Sequence, residues 1–160
     1  MKTDEPFAAD RRETDSRRGE AGAQTWWPLL FTAWLVTLVS TLAAIFIGEV
    51  MGQTPCLLCW YQRIAMFPLV LVLGAACLAE DQRVWRYAAP LGAAGFAIAA
   101  WHNLLYFGII PKAIEPCGVG PSCSSAAMTI LGGIPIPTLS LIAFALILAL
   151  LWLVKRKAPV

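Results

Sequence analysis

Residues Pro55 to Leu78 read PCLLCWYQRIAMFPLVLVLGAACL. A C-x-x-C pair, Cys56 and Cys59, opens the stretch. One cation, Arg63, follows four residues after Cys59, and no charge appears after it. The apolar run from about Cys59 to Leu78 has the length, about 20 residues, that an α-helix needs to cross about 30 Å of hydrocarbon. Three more runs of that kind flank it: about Trp26 to Ile47 with no charge, about Tyr87 to Ile109 with His102 and Asn103 inside, and about Ile134 to Val154. None alternates polar with apolar as a barrel strand does, and helices satisfy their backbone polar groups internally in lipid. The expected fold is therefore an all-α membrane protein, a bundle of four transmembrane helices.

Composition agrees. The chain has 160 residues, of which 59% are hydrophobic and 14% charged, against about 25% charged in an average soluble domain. Of its 12 basic and 10 acidic side chains, eleven fall within the first 25 residues. That segment, 1–25, is polar and of mixed sign and is expected as a disordered tail. Its acids dilute any basic n-region and the following run is too long for an h-region, so it does not read as a cleavable signal peptide. Residues 26–154 form the membrane domain and 155–160 a short basic tail. No internal repeat is found. A net charge of +2 with no basic stripe among aromatics argues against nucleic-acid binding.

Orientation follows from lysine and arginine in short loops. Lys2, Arg11, Arg12, Arg17, Arg18, Arg83, Arg86, Lys155, Arg156 and Lys157 fall on one side of the expected bundle, and only Arg63 and Lys112 on the other. Both termini are expected to be cytoplasmic. Cys56 and Cys59, at the start of the second span, and Cys117 and Cys123, in PCGVGPSC between the third and fourth spans, then face outward, where disulfides persist. Cys77 falls at the cytoplasmic end of the second span and reads as a small buried hydrophobe.

A C-x-x-C at a helix start brings its sulfurs within bridging distance, and the free N–H groups and dipole there favour the thiolate that performs disulfide exchange. Structural zinc uses the same spacing. Cys59 is expected nearer the bilayer and Cys56 more exposed. The second pair closes a loop seven residues long from Cys117 to Cys123. Cross-linking so short a loop adds little stability on the chain-entropy model, which favours an exchangeable disulfide over a staple. A metal site would gather the four thiolates, and none is assigned. Arg63 shares a helix face with Cys59. Its alternatives are snorkelling to the interface and holding an anionic or electron-accepting ligand beside the thiol, with Gln62 adding a donor. His102 is either a hydrogen-bonded interhelical residue or a proton carrier. Trp60 and Tyr61 suit an interfacial aromatic belt and could also wall a ligand site.

PCLLCWYQRI resembles the signature of the disulfide bond formation protein B (DsbB) family, and CSSAAMTILGGIPIPTLSLIAF resembles that family's segment from the last cysteine into the fourth helix. The resemblance covers the chain from Trp26 to its end. It implies a bacterial inner-membrane thiol:quinone oxidoreductase that reoxidises a thioredoxin-fold dithiol oxidase of the DsbA type, the route that keeps the bacterial periplasm oxidising. On that resemblance Cys117 and Cys123 take electrons from the partner, Cys56 and Cys59 reoxidise that pair, and Cys59, Arg63, Gln62 and His102 attend the quinone, ubiquinone or menaquinone. A monomer in membrane lipid is expected. The five residues between Cys117 and Cys123 are far fewer than in the long-loop pattern and resemble the shorter, BdbC-like branch.

Two rivals remain at this point. A vitamin K epoxide reductase-like protein would share four helices and two cysteine pairs, with the loop pair placed before the C-x-x-C. A metal-handling or small structural membrane protein would bind metal when reduced and reduce no quinone. The resting pairing of the four cysteines is open, since four allow three connectivities.

Overall fold

The structure, a computed structural model, describes residues 5–111, 129–130 and 133–157. Cys117, Cys123 and Lys112 lie outside them. Helix α1 runs Glu5–Ile45 and continues through one π-helical turn, Phe46–Val50. Helix α2 spans Leu57–Ala79, α3 Trp85–Tyr106 and α4 Ile136–Lys157. Two-residue strands, β1 at Thr129–Ile130 and β2 at Ile134–Pro135, pair antiparallel just before α4.

The backbone is thus helical from Glu5, through the segment expected as a tail. Ala, Glu and Arg there are good helix formers. Among the described residues, three helices are long and apolar enough to cross a membrane: Thr25–Val50, Leu57–Ala79 and Ile136–Lys157. Helix α3, at 22 residues, has the length. Its share of Ala and Gly, with His102 and Asn103, leaves it less apolar.

Among the described residues α1 packs against α2 and α4, and α3 packs against the same two. Leu30, Leu69, Leu73, Phe144, Ile147 and Leu151 fill the interior. Large apolar side chains also face outward, with Leu71 75% and Leu78 91% exposed, as a lipid-facing surface allows. Where lipid competes equally for apolar groups, helices associate by close packing at small residues. Gly95 of α3 is such a point, because a Cβ there would run into the buried Phe144 ring. Gly74 of α2 is another, with Trp34 Nε1 2.9 Å from the same imagined atom.

The bundle has two chemically distinct ends. At one, Glu80 closes α2 in the left-handed conformation. The Asp81 carboxylate there accepts from the Arg83 N–H at 2.8 Å and from the Tyr87 hydroxyl. Lys155 of α4 lies 4.4 Å from the Trp85 ring, which Arg86 also faces. The Trp27 indole donates to the Cys77 carbonyl at 3.3 Å. The basic α2–α3 connection and the C-terminal end of α4 therefore sit together, close to the beginning of α1's apolar stretch. The other end carries the start of α2, the end of α3 and the start of α4, pinned by Asn103. Its amide nitrogen donates to the Ala99 and Pro137 carbonyls at 2.8 Å each, and its amide oxygen accepts from the Thr138 hydroxyl at 2.8 Å.

Candidate functional site: a dithiol beside an apolar cavity

Cys56 is the N-cap of α2. Its extended backbone (φ −70°, ψ 169°) turns the sulfur back over the first turn, where it accepts from the Cys59 N–H at 3.3 Å. Sulfur here does the work that Ser or Asp usually does at an N-cap. The C-x-x-C spacing brings the Cys59 sulfur to 3.1 Å from that of Cys56, the two sharing a hydrogen bond as free thiols. On the far side of Cys56, His102 Nε2 lies 3.9 Å from the sulfur. His102 is fully buried on α3, and its Nδ1 lies 3.0 Å from the amide nitrogen of Gln62. With that nitrogen donating, Nδ1 is the acceptor and the ring carries its proton on Nε2, toward Cys56. A continuous polar line thus runs Cys59–Cys56–His102–Gln62 through an otherwise apolar end of the bundle.

The Cys56 thiol, one residue before the membrane-length stretch of α2, is pulled down to about 5. The Cys59 hydrogen bond is the largest cause; burial opposes it, and His102 and the Cys59 N–H assist. A thiol so lowered is a thiolate at neutral pH, the form that attacks disulfides.

The exposures of the pair reverse the expectation. Cys56 is 1% exposed, packed with Leu58 and Leu105, and Cys59 is the half-buried member. The capping geometry is the reason: the sulfur that caps the helix folds inward, toward α3. Cys59 instead opens onto a cavity of about 320 Å³ between α1, α2 and α4. Arg63, Gln62 and Phe67 of α2 line it, with Ala44 and Ile47 of α1 and Ser140 of α4. The Arg63 guanidinium donates to the Ala44 carbonyl at 2.7 Å and lies 5.5 Å from the Trp60 ring. The π-helical turn begins two residues after Ala44, a local departure from α-geometry of the kind that recurs at functional sites. His102 does not line the cavity; it reaches it only through the Gln62 amide. Trp60 and Tyr61 are exposed and do not line it either.

The structure therefore brings together Cys56, Cys59, Gln62, Arg63 and His102. Cys117 and Cys123 lie outside the described residues. Cys77 is at the opposite end, half-buried. The sequence reading missed the Asn103 clamp and the cavity's Ser140. A polar pair, His102–Asn103, inside an apolar run was the available signal for the clamp. The ligand atoms of Cys56, Cys59 and His102 all lie within 4.8 Å of one another, so these three could also hold a metal ion.

A dithiol at a helix start, with a cation one turn deeper, is an arrangement capable of thiol–disulfide exchange. The family model for disulfide bond formation protein DsbB matches residues 24–154. The chain belongs to the DsbB family. It is 55% identical over 132 residues to a probable disulfide formation protein of Metapseudomonas resinovorans, covering 82% of this chain and 92% of that one. It is 40% identical over 128 residues to disulfide bond formation protein C of Bacillus subtilis, covering 80% and 93%. A probable disulfide formation protein of Deinococcus radiodurans is 39% identical over 140 residues, covering 82% and 91%. No solved structure matches. Membership of the DsbB family gives the chain an oxidoreductase role in disulfide formation, and the helices give it the means to sit in a membrane.

Proposed function

We propose that this protein is a four-span thiol:quinone oxidoreductase of the bacterial cytoplasmic membrane. It reoxidises an extracytoplasmic thioredoxin-fold dithiol oxidase and passes the electrons to a membrane quinone. The observation that carries the reading is that Cys59 opens onto the same apolar cavity as Arg63. The cavity suits a quinone head group: its volume is within the range of small-molecule sites, its walls are mostly apolar, and its few polar groups are grouped beside the thiol. Bound there, a quinone supplies a two-electron, two-proton acceptor.

The chain's own residues do the rest. A partner dithiol attacks the Cys117–Cys123 disulfide through a mixed disulfide, leaving the partner oxidised and the loop pair reduced. The reduced loop pair in turn reduces the Cys56–Cys59 disulfide by the same exchange. Ile110, four residues after the end of α3, packs on the Cys56 cluster. On this reading Cys56, packed with Ile110 in the same cluster, is the sulfur that exchanges with the loop pair. Cys59, on the cavity side, is the sulfur placed to deliver electrons. Arg63 offers N–H donors to an oxygen that gains negative charge. His102, with its proton on Nε2, holds Cys56 as the thiolate. Oxidation of the Cys56 thiolate and the Cys59 thiol to the disulfide releases two electrons and one proton, and a second proton from water completes the two-electron, two-proton reduction of the acceptor.

The basic end of the bundle, with Arg83, Arg86, Lys155 and Arg156, faces the cytoplasm on this reading, and the dithiol end faces outward. The test is quinone reduction followed by absorbance, with purified protein and a reduced thioredoxin-fold partner. Turnover by wild type that disappears in Cys59→Ser supports the reading. Equal turnover in Cys59→Ser, or none in wild type with either ubiquinone or menaquinone, overturns it.

A further inference from the structure

We infer that the reduced dithiol, with His102, captures a single thiophilic divalent cation such as Zn²⁺, and that this capture blocks the site. The inference rests on the proposed function only in that Cys56 and Cys59 become reduced during turnover. Three observations carry it. The two sulfurs and a ring nitrogen of His102 already converge, all within 4.8 Å of one another. Tetrahedral zinc, at about 2.3 Å to sulfur and about 2.0 Å to nitrogen, spaces its donors roughly 3.5–3.8 Å apart. The Cys56 sulfur to His102 Nε2 distance is 3.9 Å, and the two sulfurs, at 3.1 Å, need to open by about 0.7 Å, within reach of a small rotation about the Cys59 side chain.

Second, the supporting shell exists. A metal-bound histidine usually donates its other N–H to an oxygen that fixes the ring. Gln62 stands 3.0 Å from Nδ1, and turning its amide over replaces the nitrogen with the carbonyl oxygen that this N–H requires. Third, the charges close. The Cys59 thiol releases its proton on binding; the two thiolates, the neutral imidazole and the dication then sum to zero. The buried position of Cys56 and His102 favours a neutral complex over separated ions.

Three protein ligands leave a fourth position. Cys59 is the ligand that lines the cavity, so that position, held by water or a small anion, opens into the space beside Arg63. An occupied site therefore withholds both sulfurs from exchange and narrows the cavity. The expected inhibition is competitive with quinone and reversed by a chelator.

The experiment uses the full chain, reduced and then freed of reductant, with Cys117→Ser/Cys123→Ser introduced so that the loop thiols cannot contribute. Equilibrium dialysis against Zn²⁺ should give one ion per chain. Binding should vanish after oxidation to the Cys56–Cys59 disulfide and in a further Cys56→Ser variant, and weaken at least tenfold in His102→Ala. Should His102→Ala fail to fold, Co²⁺ added to the Cys117→Ser/Cys123→Ser protein provides the second readout: tetrahedral d–d bands with thiolate charge transfer support the site, and an octahedral spectrum overturns it. No stoichiometric Zn²⁺, or binding that survives oxidation or Cys56→Ser, refutes the inference. Because dialysis needs no quinone, a protein that binds Zn²⁺ yet never reduces quinone would sink the proposed function and leave this site standing.

Discussion

Gly48→Ala tests the placement of Arg63 without removing its charge. A Cβ on Gly48 would sit 3.1 Å from Nη2 and 3.3 Å from Nη1 of Arg63. The obstructing group is the far end of a flexible side chain, so the guanidinium yields by a few tenths of an ångström while the backbone stays in place. Folding should not suffer; replacing a helical glycine by alanine is worth up to about 1 kcal/mol in favour of the variant. What suffers is the 2.7 Å hydrogen bond to the Ala44 carbonyl and the aim of the remaining donors into the cavity. Hydrogen bonds to charged groups contribute about 1.5–3 kcal/mol. Misalignment forfeits part of that, about 1 kcal/mol, which corresponds to roughly a fivefold rise in apparent KM for quinone. Arg63→Ala removes the whole donor set and should exceed that rise. Gly74→Ala is the control: its Cβ meets Trp34 Nε1 at 2.9 Å, away from the cavity lining, and should lower thermal stability with KM unchanged. The assay is steady-state quinone reduction beside thermal unfolding in detergent. A Gly48→Ala protein with unchanged Tm and unchanged KM would refute the reasoning that Arg63's position governs quinone use.

Three other outcomes are expected. Gly95→Ala forces a methyl into the buried Phe144 ring, and overpacking of this kind costs about 1–3 kcal/mol; a lower Tm that Phe144→Leu partly restores would identify the contact, and no shift would show that α3 and α4 part freely. Asn103→Leu strands the Pro137 carbonyl and the Thr138 hydroxyl, at about 1–3 kcal/mol, and Thr138→Val, which removes one bond of the three, should cost less; equal costs would contradict the clamp geometry. Cys117→Ser should abolish turnover with the protein partner while a quinone added to the purified variant still binds; continued turnover would show that the partner reaches Cys56–Cys59 directly.

Much of this architecture was legible in the sequence because bilayer thickness is a strict ruler. The expected second run, about Cys59 to Leu78, lies inside Leu57–Ala79, and the expected first, about Trp26 to Ile47, lies inside Thr25–Val50. The ends were less legible, since caps depend on local geometry: Ile134 and Pro135, read as the start of the fourth span, belong to β2. Helix α3 shows the limit of hydropathy, as its alanines and glycines serve close packing and lower the apolar signal. Within the site, helical period was enough to put Cys59 and Arg63 on one face. It was not enough to bring His102 to Cys56, because their 46-residue separation is bridged only by the packing of α2 on α3. Nor did it show which sulfur is buried. That follows from the capping role of Cys56, a backbone property that C-x-x-C spacing alone leaves undetermined.

The capping role also bears on the proposed relay, in which one dithiol serves two exchanges without short-circuiting. A disulfide relay needs its two ends to meet different partners, one a protein thiol and the other an apolar electron acceptor. Here the helix start separates them. The N-cap turns the Cys56 sulfur toward α3 and His102, in the cluster on which Ile110 packs. The first helical turn carries Cys59 round to the α1–α4 side, where the cavity lies. Three residues of helix advance the side-chain direction by about 300°, close enough for the sulfurs to bond yet angled enough for each to face its own neighbour. The thiolate-stabilising groups gather on Cys56, and the cation lies on the Cys59 side of the turn. On the proposed function, the same C-x-x-C spacing that permits the disulfide turns its two ends toward different chemistry.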